Sequence, residues 1–118
     1  MSEAESSLGR IEVSPVAIAS LAYEAVSSCY GVVGTAPKNL ATGIANVLSR
    51  DSKRGIDVRI EDERIIIDVY VIIEYGTRIA SVARSVMNVV KFSVERALGL
   101  PVAEVNVYVE GLRVSDTD

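Results

Sequence analysis

Polar and apolar residues alternate with a period of two in the middle of the chain. Ile56, Val58 and Ile60 alternate with Asp57, Arg59 and Glu61. This spacing lays one apolar side of a strand on a core. Asp62-Glu63 reads as a hairpin turn, and the return run, Arg64 to Tyr75, is longer. One side of it carries Ile65, Ile67, Val69, Val71 and Ile73. The other carries Ile66, Asp68, Tyr70, Ile72 and Glu74. A third strand is predicted over Val102 to Glu110, with Val105, Val107 and Val109 opposite Glu104, Asn106, Tyr108 and Glu110.

Elsewhere the apolar period lengthens to that of a helix. Ser14-Pro15 is a start signal, since Ser caps and Pro is tolerated in a first turn. Ile18, Leu21, Ala22, Ala25 and Cys29 follow at helical spacing, predicting a helix from Pro15 to about Cys29. The longest helix is predicted from Arg78 to Leu98, capped by Thr77, with Ile79, Val82, Ala83, Val86, Val90 and Ala97 inward. Gly99 is placed for a left-handed C-terminal cap, and Pro101 blocks continuation. Arg10 to Val13 reads as a short extended piece, and Val32-Val33, between Gly31 and Gly34, as a turn or very short strand. Lys38 to Ser49 has helical spacing interrupted by Gly43 and reads as a short, weak helix, and Arg50 to Gly55 as a loop.

The predicted order is helix, strand, strand, helix, strand. A helical crossover makes the last strand parallel to the one before the long helix and right-handed in connection. Each strand has one apolar face, so both helices pack on the same side. The expected fold is therefore α+β: a two-layer sandwich of the αββαβ type with three main strands and two main helices on one face. Residues 9–114 form one domain, with disordered tails over 1–8 and 115–118.

The 118 residues suit a single core, and with 5% aromatics that core is aliphatic. There is no His, which removes the commonest general base and zinc ligand, and a single Cys excludes an internal disulfide. Cys29, on the apolar stripe of its helix, reads as structural. Gly31-Val32-Val33-Gly34 lacks the ending of a phosphate-binding loop and follows a helix. No catalytic constellation, metal site or cofactor site is expected, and the chain does not read as an enzyme. A single Cys fits a cytoplasmic setting. The longest charge-free stretch, Ala25 to Pro37, falls short of the about 20 apolar residues of a spanning helix.

The net charge of −4 hides an asymmetry. The helices and the loop between them carry eight cations against three acids, +5. The sheet and its turn carry two against eight, −6, and the flanking segments two against five, −3. Solvation alone explains charged surfaces, but opposite faces also favour self-association or a charged partner.

Two surfaces stand out. Ile66, Tyr70, Ile72 and Tyr108 share the sheet face away from the helices, an apolar and aromatic patch that marks an interface if it is more than ordinary strand propensity. Lys38, Arg50, Lys53 and Arg54 form a weaker basic patch, suited to anionic lipid or nucleic acid. Carboxylates around the sheet tyrosines repel phosphate and argue against an RNA-stacking platform.

The run from Gly9 to Val114 resembles the bacterial alkaline-shock protein family, the Gls24-type envelope stress proteins, and within it the YloU-like branch. Carrying the resemblance are Ile11-Glu12-Val13-Ser14, Cys29-Tyr30-Gly31-Val32-Val33-Gly34, Lys38-Asn39 and Arg54-Gly55-Ile56. They continue with Ile67-Asp68-Val69-Tyr70-Val71-Ile72, Tyr75-Gly76-Thr77, Gly99-Leu100, Val105-Asn106-Val107-Tyr108-Val109-Glu110-Gly111 and Arg113-Val114. The resemblance implies a non-enzymatic protein of envelope homeostasis and stress, cytoplasmic or peripheral at the inner membrane face through a partner. It implies as partners the protein itself, or a membrane-associated or fatty-acid-metabolism protein. On the residues, the leading expectation is an interaction or scaffold module. The alternative is a small-ligand or lipid-binding module with an apolar pocket between helices and sheet, and a third is nucleic-acid binding through the basic layer.

Overall fold

A computed structural model describes residues 4–6, 8–36 and 55–114. Ahead of the first helix, where a tail and a short extended piece are expected, Ala4–Ser6 (β1) pairs antiparallel with Gly9–Ile11 (β2). Ser14 then caps α1 (Pro15–Ser27), its hydroxyl accepting from the Ala17 N–H at 3.2 Å. Pro15 occupies the first turn, where its missing N–H leaves no bond unmade. Ile18, Ala19, Ala22, Ala25 and Val26 form the buried side of α1. The segment 38–49 and residues 50–54 of the loop that follows lie outside the described residues.

The remaining elements are β3 (Val32–Thr35), β4 (Ile56–Glu61), β5 (Arg64–Glu74), α2 (Ile79–Leu98) and β6 (Glu104–Arg113). β5 is the central strand. β4 pairs with it antiparallel over Ile56↔Val69 to Glu61↔Arg64, β3 pairs with it antiparallel further along, and β6 pairs with it in parallel. Both helices bury on one face of this sheet. Ile18, Ala22 and Val26 meet Val82, Val86, Val90 and Val94 over Ile56, Ile65, Ile67, Val69, Val71 and Ile73. Each of these valines and isoleucines contributes about 1.5–3 kcal/mol when removed from water. The two-layer α+β architecture and its aliphatic core are as expected.

β3 and β4 lie end to end along one edge of β5. Tyr70 accepts the Ala36 N–H at 2.9 Å through its C=O and donates its own N–H to the Gly55 C=O at 2.8 Å. Ala36 and Gly55 together thus make the bonds of one residue opposite Tyr70. The chain leaves the edge at Ala36 and rejoins it at Gly55. The two backbones crowd each other there, for a Cβ on Gly55 would fall 2.5 Å from the Ala36 carbonyl oxygen. Gly55 also has φ +75°, which a side chain would strain.

Three local expectations are corrected. Thr77 does not cap α2: its hydroxyl donates to the Glu74 C=O at 2.7 Å, closing the turn after β5. The N-cap is Arg78, which makes no side-chain cap bond. The buried stripe of α2 is Val82, Val86, Val90 and Val94, whereas Ile79 and Ala97 are exposed, because the side turned to the core is set by the i, i+4 row of valines, with Leu98 rather than Ala97 packed against it at the C-terminal end. β6 runs on to Arg113 through a register shift after Val109, so a bulge lengthens it beyond Glu110.

The hairpin turn holds Asp62 at φ 51° and Glu63 at φ 63°. Two successive left-handed residues form the turn that suits twisted hairpins, and Asn-Gly adopts it at least cost. Replacing Asp62→Asn together with Glu63→Gly is expected to raise stability by about 1 kcal/mol in urea unfolding. Deleting residues 37–55, which joins Ala36 to Ile56 as one strand, is expected to leave a cooperatively melting α+β domain. Loss of the cooperative transition by circular dichroism would contradict the end-to-end arrangement.

Candidate functional site

Among the described residues no helix covers the second face of the sheet, and side chains of the sheet itself close half of it. β5 places Asp68 there, only 5% exposed. A buried carboxylate needs partners, and neighbouring strands supply them. From β4, Arg59 Nε donates to Asp68 Oδ2 at 3.2 Å, and its Nη2 lies 3.1 Å from the same oxygen. From β6, Asn106 Nδ2 donates to Asp68 Oδ1 at 2.9 Å. The set extends at both ends. Arg59 Nη1 donates to Glu61 at 2.9 Å, Asn106 reaches Glu104 at 3.4 Å, and Glu104 pairs with Arg64 at 3.4 Å. The Asp68 carboxylate is the main cause that holds the Arg59 guanidinium more firmly protonated than usual.

This polar chain encircles Ile66. In register Ile66 lies between Arg59 and Glu104, and along its own strand between Arg64 and Asp68. It is therefore only 4% exposed although it faces away from the helices. Beyond Asp68 the face turns apolar. Tyr70 and Tyr108 are register partners and their rings stack, with centroids 4.8 Å apart and planes 17° apart. Tyr70 is the covered ring, 8% exposed, and Tyr108 the open one at 42%. Burial first, then the nearby charge of Asp68, pushes the Tyr70 phenol above its ordinary range, so it stays neutral. Ile72 follows, half-buried, with only Gly111 opposite it on β6, and the absent side chain leaves that flank open.

The four residues picked out in sequence thus share the expected face, but unequally. Tyr108 and Ile72 reach the surface, Tyr70 supports Tyr108 from beneath, and Ile66 is enclosed. Sequence reasoning did not single out Arg59, Asp68 and Asn106. The signal was available: a carboxylate between Ile66 and Tyr70, on a strand apolar on its other side, requires partners on both neighbouring strands. The basic patch Lys38, Arg50, Lys53 and Arg54 lies outside the described residues.

Other features of the described surface offer little chemistry. Cys29 is buried and its thiol is pushed up by that burial, which lowers its reactivity. No group of His, Cys, Asp or Glu among the described residues is arranged to hold a metal ion. Between α1 and β3, Tyr23, Val26, Val32 and Gly34 line a cleft of about 180 Å³. That is below the about 300–1,000 Å³ of small-molecule sites. Larger clefts of about 400 and 610 Å³ open at the start of α2 and along α1. No described helix is long and apolar enough to cross a membrane.

Comparisons place this arrangement among known proteins. The chain is 42% identical over 116 residues to YloU of Bacillus subtilis (strain 168), covering 97% of both, and that protein is described as uncharacterized. It is 34% identical over 108 residues to Spy1614 of Streptococcus pyogenes serotype M6, covering 90% of this chain and 89% of that one, also uncharacterized. To the uncharacterized YqhY of Bacillus subtilis it is 29% identical over 114 residues, covering 96% and 84%. No solved structure matches at a significant level. The model of the alkaline-shock protein 23 family, described as having a cell envelope-related function, matches residues 3–114, and the chain belongs to that family.

Proposed function

We propose that the protein is a non-enzymatic interaction or scaffold module of the cell envelope, and that the Tyr108 end of the outer sheet face is its contact surface. The single observation behind this reading is the exposed Tyr108 ring, stacked on Tyr70 beside Ile72 on a face that no described helix covers. A ring held in one orientation binds without the cost of being ordered on contact. The Arg59–Asp68–Asn106 bridge supports it, because it ties three strands together beside the aromatic pair, one step along the same face. Its partner is a second copy of the chain or a membrane-linked protein, and on this reading the module is cytoplasmic, peripheral at the inner face of the membrane when the partner is membrane-linked. Family membership supports the envelope setting, and the resemblance to the YloU-like branch supports the partner class.

The test follows from the burial. Tyr70 is too enclosed to be replaced without disturbing the sheet, whereas Tyr108 stands open. Tyr108→Glu is expected to keep the melting temperature within a few degrees and to reduce association at least about tenfold. Light scattering across a dilution series reads the self-associated form, and affinity capture from cells reads a foreign partner. Unchanged molar mass together with unchanged partner recovery would remove the proposal. Asp68→Ala is expected to lower stability by about 2 kcal/mol in urea unfolding, through hydrogen bonds lost at a buried carboxylate. The same change is expected to weaken association indirectly, by loosening β6 under Tyr108.

A further inference from the structure

The solvent side of α2 carries chemistry opposite to that of the outer sheet face. Arg84, Lys91 and Arg96 lie on it, Arg78 stands at its N-cap, and Glu95 is the one acid of the helix. Glu95 is engaged within the chain, accepting the Val102 N–H at 2.8 Å and lying 3.8 Å from Lys91 Nζ. Phe92, the one phenylalanine of the sequence, is 62% exposed on this side. The Arg96 guanidinium carbon lies 5.9 Å from the centre of its ring. Met87 is exposed on the same helix. An aromatic ring in water among cations is the set by which a helix rests on an anionic bilayer. The cations meet the phosphates, and the ring enters the boundary between headgroups and chains.

We infer that the solvent face of α2 docks on an anionic phospholipid surface. Charge complementarity selects this occupant, and the opposite layer fixes its orientation. β4, β5, β6 and the hairpin turn carry eight acids against three arginines. α1, α2 and Arg78 carry four cations against Glu24 and Glu95. An anionic surface therefore attracts the helical layer and repels the sheet. Tyr108 then faces away from the lipid, so lipid docking and protein contact use opposite faces and do not compete. Membrane proximity arises in this way without a spanning helix and independently of the sheet-face contact. Each cation near an anionic leaflet contributes about fivefold to binding, so the interaction is weak, reversible and sensitive to salt.

Co-sedimentation with vesicles tests this directly. The full chain is mixed with vesicles of equal parts phosphatidylglycerol and phosphatidylcholine, or of phosphatidylcholine alone. Binding is expected only to the anionic vesicles, and its loss is expected at about 0.5 M salt. Arg84→Glu with Arg96→Glu, both exposed, is expected to lower the bound fraction at least about tenfold with an unchanged circular dichroism spectrum. Phe92→Trp introduces the one tryptophan of the chain, and its emission is expected to shift to the blue on anionic vesicles alone. Tyr108→Glu is expected to leave vesicle binding unaltered, so the two surfaces succeed or fail separately. Equal binding to both vesicle types, equal binding by the doubly reversed variant, or an unmoved tryptophan emission would each overturn the inference. So would a result in which the doubly reversed variant loses a protein complex while keeping its vesicle binding, since that face would then be a protein interface.

Discussion

Everything in the domain depends on β5 being sealed on both faces by different chemistry. Its inner side chains, Ile65, Ile67, Val69, Val71 and Ile73, are closed by two helices. Its outer ones, Ile66, Asp68 and Tyr70, are closed by side chains reaching across from β4 and β6. A three-lane sheet with helices on one side would ordinarily leave the other side wet. Here the Arg59–Asp68–Asn106 bridge draws the lanes together, and among the described residues no buried side-chain polar atom lacks a partner. Burying a charge is costly unless it is paired and hydrogen-bonded, and this one is both.

The same bridge divides the outer face. On one side of Asp68 lies a chain of polar side chains around Ile66, and on the other an aromatic step that ends in the exposed Tyr108. A surface that is rigid and apolar at one end and charged at the other can present a ring to a partner while its carboxylates repel phosphate. The helical layer behaves in the opposite way, with cations and an exposed Phe92 on α2. Two layers of unlike charge give the domain a defined orientation beside any charged surface. That property sits well with a family whose function relates to the envelope.

Much of this was legible in the chain. Alternation in β4, and the unbroken aliphatic row at every second position of β5, define strand faces that the structure keeps, because a period of two puts Ile65, Ile67, Val69, Val71 and Ile73 on one side. Ser14-Pro15 and Gly99-Pro101 bounded the helices for local steric reasons, and Gly99 has the left-handed φ of 72° that its place requires. Thr77 illustrates the limit of local signals. A hydroxyl one residue ahead of a helix reads as a cap, yet the chain turning out of β5 offers the Glu74 carbonyl closer by, and the hydroxyl goes there.

The sequence by itself determined which residues are apolar on which side of each element, and through that the layers, the aliphatic core and the unequal charge of the two faces. These follow from periodicity and composition, which are properties of neighbours along the chain. Only the tertiary structure decided that Ile66 is enclosed while Tyr108 is open, that Asp68 draws partners from two strands, and that Ala36 and Gly55 complete one position opposite Tyr70. Each depends on strand register, which joins residues up to about 40 positions apart, and pairing at that separation is set by the packing of the whole sheet rather than by any local pattern.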